Sequence, residues 1–139
     1  MRCIRRQGVS LQTRLAKDLP LIPGDRIQLQ QVILNLIINA VEAMSAARKG
    51  ARELLISTAE DTSNGVRVAV RDSGPGLSPE SLEHLFDPFY TTKPSGMGMG
   101  LSICRSIIQA HDGTLWASRN AGPGATFQFT LRSHQEVHA

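Results

Sequence analysis

Residues 25–47 most constrain what this chain can fold into. In "DRIQLQQVILNLIINAVEAMSAA" apolar residues recur with a helical period, and Asp25 is placed to cap the start. Gln28, three residues on, would complete a capping box, and the pattern runs to about Ala47 before Gly50. Leu36, Ile37, Ile38, Ala40, Val41 and Met44 suit a core. The polar residues Gln28, Gln31, Asn35, Asn39 and Glu42 follow at steps of three, four, four and three, which makes one continuous stripe on an otherwise apolar rod. Asn35 and Asn39 are about one turn apart, so their amides point the same way. A buried, unpaired amide costs roughly 1–3 kcal/mol. Solvent accounts for Gln28 or Glu42 alone; two amides aligned on one face imply something to bind.

A helix of this kind needs an apolar surface to cover, and the rest of the chain supplies strands. "VSLQTRLA" alternates and is broken by Pro20, Pro23 and Gly24; "ELLISTAE" and "GVRVAVRD" form a hairpin in the simplest reading. "SPESLEHLF" is a short helix capped by Ser78. "GLSICRSIIQAHD" is a longer one ending at Gly113, and "TLWASRN" and "TFQFTLR" are closing strands around "AGPG". Strands and helices mix without regular alternation, which predicts an α/β sandwich: one mixed sheet with helices packed on one face. "DPFYTTKPSGMGMG" has no periodicity and reads as a long functional loop.

At 139 residues the chain has the length of one domain, and its 41% apolar and 19% charged residues are globular composition. The expected division is a frayed segment over 1–8, one domain over 9–132 and a tail over 133–139. No apolar run approaches the roughly 18 residues of a membrane span, no signal peptide opens the sequence, and a cytoplasmic location without membrane contact is expected. The net charge of +3 is concentrated in "MRCIRR" and otherwise scattered, which gives no nucleic-acid footprint. Cys3 and Cys104 match no metal-ligand spacing and read as reduced thiols.

Three features share a chemical theme. Asn35 and Asn39 form the first. In "RDSGPG", Asp72 ends a strand, and Gly74 and Gly76 let the backbone turn closely past whatever Asp72 contacts. In "GMGMGLS", Gly96, Gly98 and Gly100 run into a helix and offer backbone N–H groups and a positive dipole end to an anion. Together they suggest a phosphorylated ligand, although neither a Rossmann fingerprint nor a P-loop is present.

In combination and order these stretches resemble the ATP-binding catalytic domain of sensor histidine kinases, within the superfamily that also contains gyrase, mismatch-repair and heat-shock-chaperone ATPases. "NLIINAVEAM" is similar to the family's N box, "DSGPG" to its G1 box, "LFDPFYTTK" to its F box, "GMGMGLSI" to its G2 box and "GATFQFTL" to its closing strand. The resemblance runs from about Val9 to Leu131 and implies the family's Bergerat-type sandwich with an ATP lid over residues 86–99. It implies that Asn39 ligates Mg²⁺ and that Asn35 contacts the phosphates or the metal's water shell. Asp72 would accept from the adenine amine, with Gly74 shaping that turn and Gly76 and Thr126 lining the base pocket. Lys93 is the implied phosphate contact, and Gly96, Gly98, Gly100 and Leu101 would position the triphosphate.

Many members of the family carry a basic and an aromatic residue where this chain has Glu42 and Ala43. Glu42 is kept among the nucleotide-contact candidates, and the Glu-Ala pair resembles sensors of nitrogen and oxygen regulation. Hydrolytic members of the superfamily carry a Glu one turn before the metal-binding Asn. Here that position is Asn35, and an amide cannot accept a proton. The resemblance therefore implies phosphoryl transfer to a histidine on a separate dimerisation and phosphoacceptor domain, with a response regulator downstream, rather than brisk hydrolysis. The rivals are a superfamily ATPase, a non-catalytic nucleotide-binding module and a serine kinase of the anti-sigma type. His84, His111, His134 and His138 lack an acceptor context, and His111, Met97, Met99 and Trp116 read as structural.

Overall fold

The computed structural model describes residues 8–46, 52–61, 65–87 and 100–133. In chain order the elements are β1 (Ser10–Arg14), α1 (Arg26–Ala46), β2 (Glu53–Asp61), β3 (Gly65–Asp72), α2 (Pro79–His84), α3 (Gly100–Ala110), β4 (Thr114–Arg119) and β5 (Ala125–Arg132). The strands form one five-stranded sheet in the order β1-β2-β3-β5-β4. Only β1 runs parallel to its neighbour; the β2–β3, β3–β5 and β4–β5 pairs are antiparallel. Parallel pairing requires a crossover, and α1 lies in the connection between β1 and β2.

Alternation along β3 and β5 decides which face is covered. Val66, Val68 and Val70 are buried, and they pair with buried Leu131, Phe129 and Phe127. Against this layer lie Val32, Leu36, Ala40 and Met44 of α1 and Cys104 and Ile108 of α3, with Leu29, Ile33 and Leu101 packed at its margin. The expected arrangement of a mixed sheet with helices on one face is the observed one. Trp116 pairs with Gln128 on the other face, so it is half-buried on the side of the sheet away from α1 and α3 rather than in the core.

Two features of α1 differ from expectation. Its stretch Arg26–Met44 is long and apolar enough to cross a membrane by length and composition alone, yet one side of it forms this core. Its N-terminus is capped as predicted on one side only: Asp25 Oδ1 accepts from the Gln28 N–H at 3.0 Å. The reciprocal bond of a capping box is replaced, because the Asp25 N–H donates to His111 Nε2 at 3.0 Å. The other ring nitrogen of His111 lies 2.8 Å from the Ile107 carbonyl oxygen. A neutral imidazole can donate from only one ring nitrogen, so Nδ1 carries the hydrogen and Nε2 is the acceptor. His111 thereby joins the start of α1 to the end of α3, which is a structural role. α2 is capped by Ser78, whose hydroxyl accepts from the Ser81 N–H at 3.0 Å.

Candidate functional site

The site grows out of the same alternation. Asp72 is in phase with Val66, Val68 and Val70, so the strand delivers a carboxylate where the next core side chain would stand, and it is only 5% exposed. Its Oδ1 accepts from the Gly74 N–H at 2.9 Å and from the Ala125 N–H at 3.4 Å. Burial pushes the Asp72 carboxyl above its ordinary range, and the bonds from Gly74 and Ala125 only partly oppose that. Oδ2 has no hydrogen-bond partner among the described residues. An acceptor left open on a side chain that is otherwise buried is where a ligand donor fits.

Gly74 turns the chain against α1. A methyl group there would lie 3.3 Å from Met44 Cγ and 3.2 Å from Asp72 Oδ1, so a side chain at this position would crowd the loop against both. The Ser73 hydroxyl lies 3.7 Å from Met44 Sδ. The loop after β3 therefore rests on α1 about one turn beyond Asn39, which brings the first two sequence features together. Asn35 brings in the third, because its Nδ2 lies 3.6 Å from Cys104 Sγ on α3.

The two asparagines have different surroundings. Asn35 Oδ1 accepts from Gln31 Nε2 at 2.9 Å, so its amide is engaged on both sides by protein. Asn39 is half-buried and its side chain makes no hydrogen bond among the described residues, so its amide oxygen can serve as a hard donor. Glu42 is exposed on α1, Gly100 opens α3 in an exposed position, and Leu101 is half-buried at the core margin. Lys93, Gly96 and Gly98 lie outside the described residues. A groove of about 360 Å³ lined by Gln28, Ser102, Ile103, Ser106, Ile107 and Ala110 includes neither Asn39 nor Asp72.

Thr126 is a correction. On β5 the residues facing the core are Ala125, Phe127, Phe129 and Leu131, so Thr126 points to the opposite side of the sheet from Asp72. Its hydroxyl donates to Asn120 Oδ1 at 2.6 Å. Ala125 stands beside Asp72 in its place, and Gly76, with φ of +85°, faces the Gly124 carbonyl.

A family model described as histidine kinase-, DNA gyrase B-, and HSP90-like ATPase matches residues 24–135. The chain belongs to this family. It is similar to the sensor protein FixL of Bradyrhizobium diazoefficiens, with 45% identity over 95% of this chain and 26% of that protein. It is also similar to the C4-dicarboxylate transport sensor protein DctS of Rhodobacter capsulatus, with 42% identity over 95% of this chain and 20% of that protein. The chain thus spans about a quarter or less of the curated relatives it matches. Among solved structures, the catalytic domain of histidine kinase ThkA superposes with a TM-score of 0.81 at 35% identity, covering 95% of this chain and 84% of that one. Full-length ShkA in complex with AMPPNP gives a TM-score of 0.81 at 28% identity, covering 94% of this chain and 27% of that one. The fold is that of a histidine kinase catalytic domain.

In this member of the family, sequence reasoning missed three residues around the site. Ala125 could have been found from the alternation of "TFQFTL". Arg105 of α3 places its guanidinium 4.6 Å from the centre of the Phe86 ring. Phe86 in turn meets Phe127 edge to face at 6.5 Å. Asn120 holds the turn before β5 and had no local signal at all.

Proposed function

We propose that this chain is the ATP-binding catalytic domain of a sensor histidine kinase, transferring the γ-phosphoryl group of ATP to a histidine on a separate dimerisation and phosphoacceptor domain. The observation that carries this reading is Asp72, a buried carboxylate with one oxygen held by two backbone N–H groups and the other open to a donor such as the adenine amine. Asn39 would hold Mg²⁺ through its amide oxygen, and the ion would supply charge neutralisation at the triphosphate. Gly100 and Leu101 at the start of α3, with Lys93, Gly96 and Gly98 before them, would take the phosphates.

Asn35 supports transfer over hydrolysis. It stands where hydrolytic relatives of the superfamily carry a general base, and its amide is engaged by Gln31 and Cys104. The domain then positions ATP while the acceptor imidazole supplies the nucleophile. A response regulator is the expected downstream partner; ThkA has been solved in complex with the response regulator protein TrrA. The working location of the domain is the cytoplasm, with neither membrane nor nucleic acid in contact with it.

The test is to supply the chain with γ-labelled ATP, alone and with a matching phosphoacceptor domain. Alone it should acquire no acid-labile phosphate and hydrolyse ATP slowly. With excess acceptor domain, label should appear on the acceptor histidine, slowly because no tether raises the local concentration. Brisk hydrolysis, or stable label on the chain itself, would overturn the assignment.

A further inference from the structure

The turn between β4 and β5 contains a side chain whose polar atoms are all engaged at the carboxylate site. Asn120 Nδ2 donates to the Asp72 carbonyl at 3.0 Å and to the Pro123 carbonyl at 3.0 Å. Its Oδ1 accepts from the Thr126 hydroxyl at 2.6 Å, and its backbone N–H donates to the Gly124 carbonyl at 3.2 Å. The strand ladder between β3 and β5 ends at the Arg71–Thr126 pair. One residue further, the Asp72 carbonyl is met by Asn120 and the Ala125 N–H turns to the Asp72 carboxylate. Gly124, with φ of +94°, lies so close that a Cβ there would collide with the Asp72 carbonyl oxygen.

We propose that Asn120 is a positioning residue for base recognition: it anchors the Asp72 backbone and the turn before Ala125, so that Oδ1 is occupied by backbone N–H groups and Oδ2 faces the ligand. The proposal rests on the reading of Asp72 as the adenine acceptor. The residue type follows from the geometry. Two carbonyls and one hydroxyl must be met by one short planar group offering two hydrogens and one oxygen, and an asparagine amide does this. Aspartate would set an acceptor against both carbonyls, and alanine would leave the Asp72 carbonyl without its partner. Thr126 enters from the face of the sheet away from α1 and α3: it makes no hydrogen bond to the carboxylate, yet it fixes which way the Asn120 amide is turned.

The experiment is calorimetric titration of the full chain with ADP and with GDP, beside thermal melts, for the wild type, Asn120→Ala and Thr126→Val. The wild type should prefer ADP. Asn120→Ala should weaken ADP about tenfold and GDP little, so that selectivity collapses. Thr126→Val, which suits a strand and leaves Asp72 and Asn120 in place, should move the ADP/GDP ratio in the same direction by about twofold to threefold. It decides the matter alone if Asn120→Ala does not fold. An unchanged ratio in the variants, including an equal loss for both nucleotides, would reduce Asn120 to a turn-forming residue and overturn the proposal. Equal affinities for ADP and GDP in the wild type would instead overturn the reading of Asp72 itself, before any variant is made.

Discussion

Asp72→Asn separates what the carboxylate does for the ligand from what it costs the fold. Asparagine keeps an oxygen for the Gly74 and Ala125 N–H groups and removes a charge from a side chain that is 5% exposed. Burial outweighs those two bonds in pushing the Asp72 carboxyl upward, so this environment penalises the charged form relative to water. The variant should therefore unfold at higher urea than the wild type at pH 7. Binding should move the other way. The new amide sets a donor against the donor of the adenine amine, and losing a charged hydrogen bond worth roughly 1.5–3 kcal/mol corresponds to a fall of about 10- to 150-fold in ADP affinity.

The pH dependence has a definite sign. For an acid whose folded pKa lies above its unfolded value, the folded state binds the extra proton between the two, so stability contributed by this group rises as pH falls through the folded pKa. The stability gap between Asp72→Asn and wild type should accordingly be widest near neutral pH and narrow as pH is lowered toward the ordinary carboxylate range. ADP affinity of the wild type should weaken over that same interval, as the acceptor is protonated. Urea titrations and calorimetry at several pH values read both. A variant less stable than wild type at pH 7, or one that binds ADP unchanged, would refute the argument.

Other outcomes follow from single contacts. Asn39→Ala should weaken ATP about tenfold in the presence of Mg²⁺ while leaving metal-free ADP nearly unaffected, as titrations with and without chelator would show. His111→Ala removes the bonds to Asp25 and Ile107 and should cost about 1–2 kcal/mol in urea denaturation. Gly124→Ala, at φ of +94° and against the Asp72 carbonyl, should cost more than about 1 kcal/mol and weaken ADP as well; a neutral melt would contradict the close approach.

Local pattern made much of the architecture legible. The alternation of "GVRVAVRD" and the helical stripe after Asp25 are short-range signals, and each element they predict is present within a few residues of its expected bounds. What failed was parity and partnership. Choosing Thr126 over Ala125 is a one-residue slip in a period of two, which sends the side chain to the wrong face. The capping box failed because the partner of the Asp25 N–H lies 86 residues away in sequence. Nothing in "NLIINAVEAM" distinguishes Asn35 from Asn39; Cys104, 69 residues on, does. Asn120 sits in a turn whose composition says only that the chain reverses, while its function depends on a carbonyl 48 residues earlier.

The contacts of α3 suggest why these long-range partners matter to the chemistry. Cys104 joins it to Asn35 in the middle of α1, and His111 joins its end to the start of α1. Two ties at different heights fix both the position and the rotation of one helix on the other, which a single tie could not. Arg105, between those two residues, rests on Phe86, and Phe86 rests on Phe127 of the sheet. The segment 88–99 is thus entered just after Phe86 and left at Gly100 from points referred to the same helix. Because α1 also carries Asn39 and supports the loop after Asp72 through Met44, Asn39, Asp72 and the described residues flanking that segment share one reference, the helix α1. On the proposed reading the nucleotide site is referred to a single helix, and preorganisation of that kind lowers the ordering cost of binding.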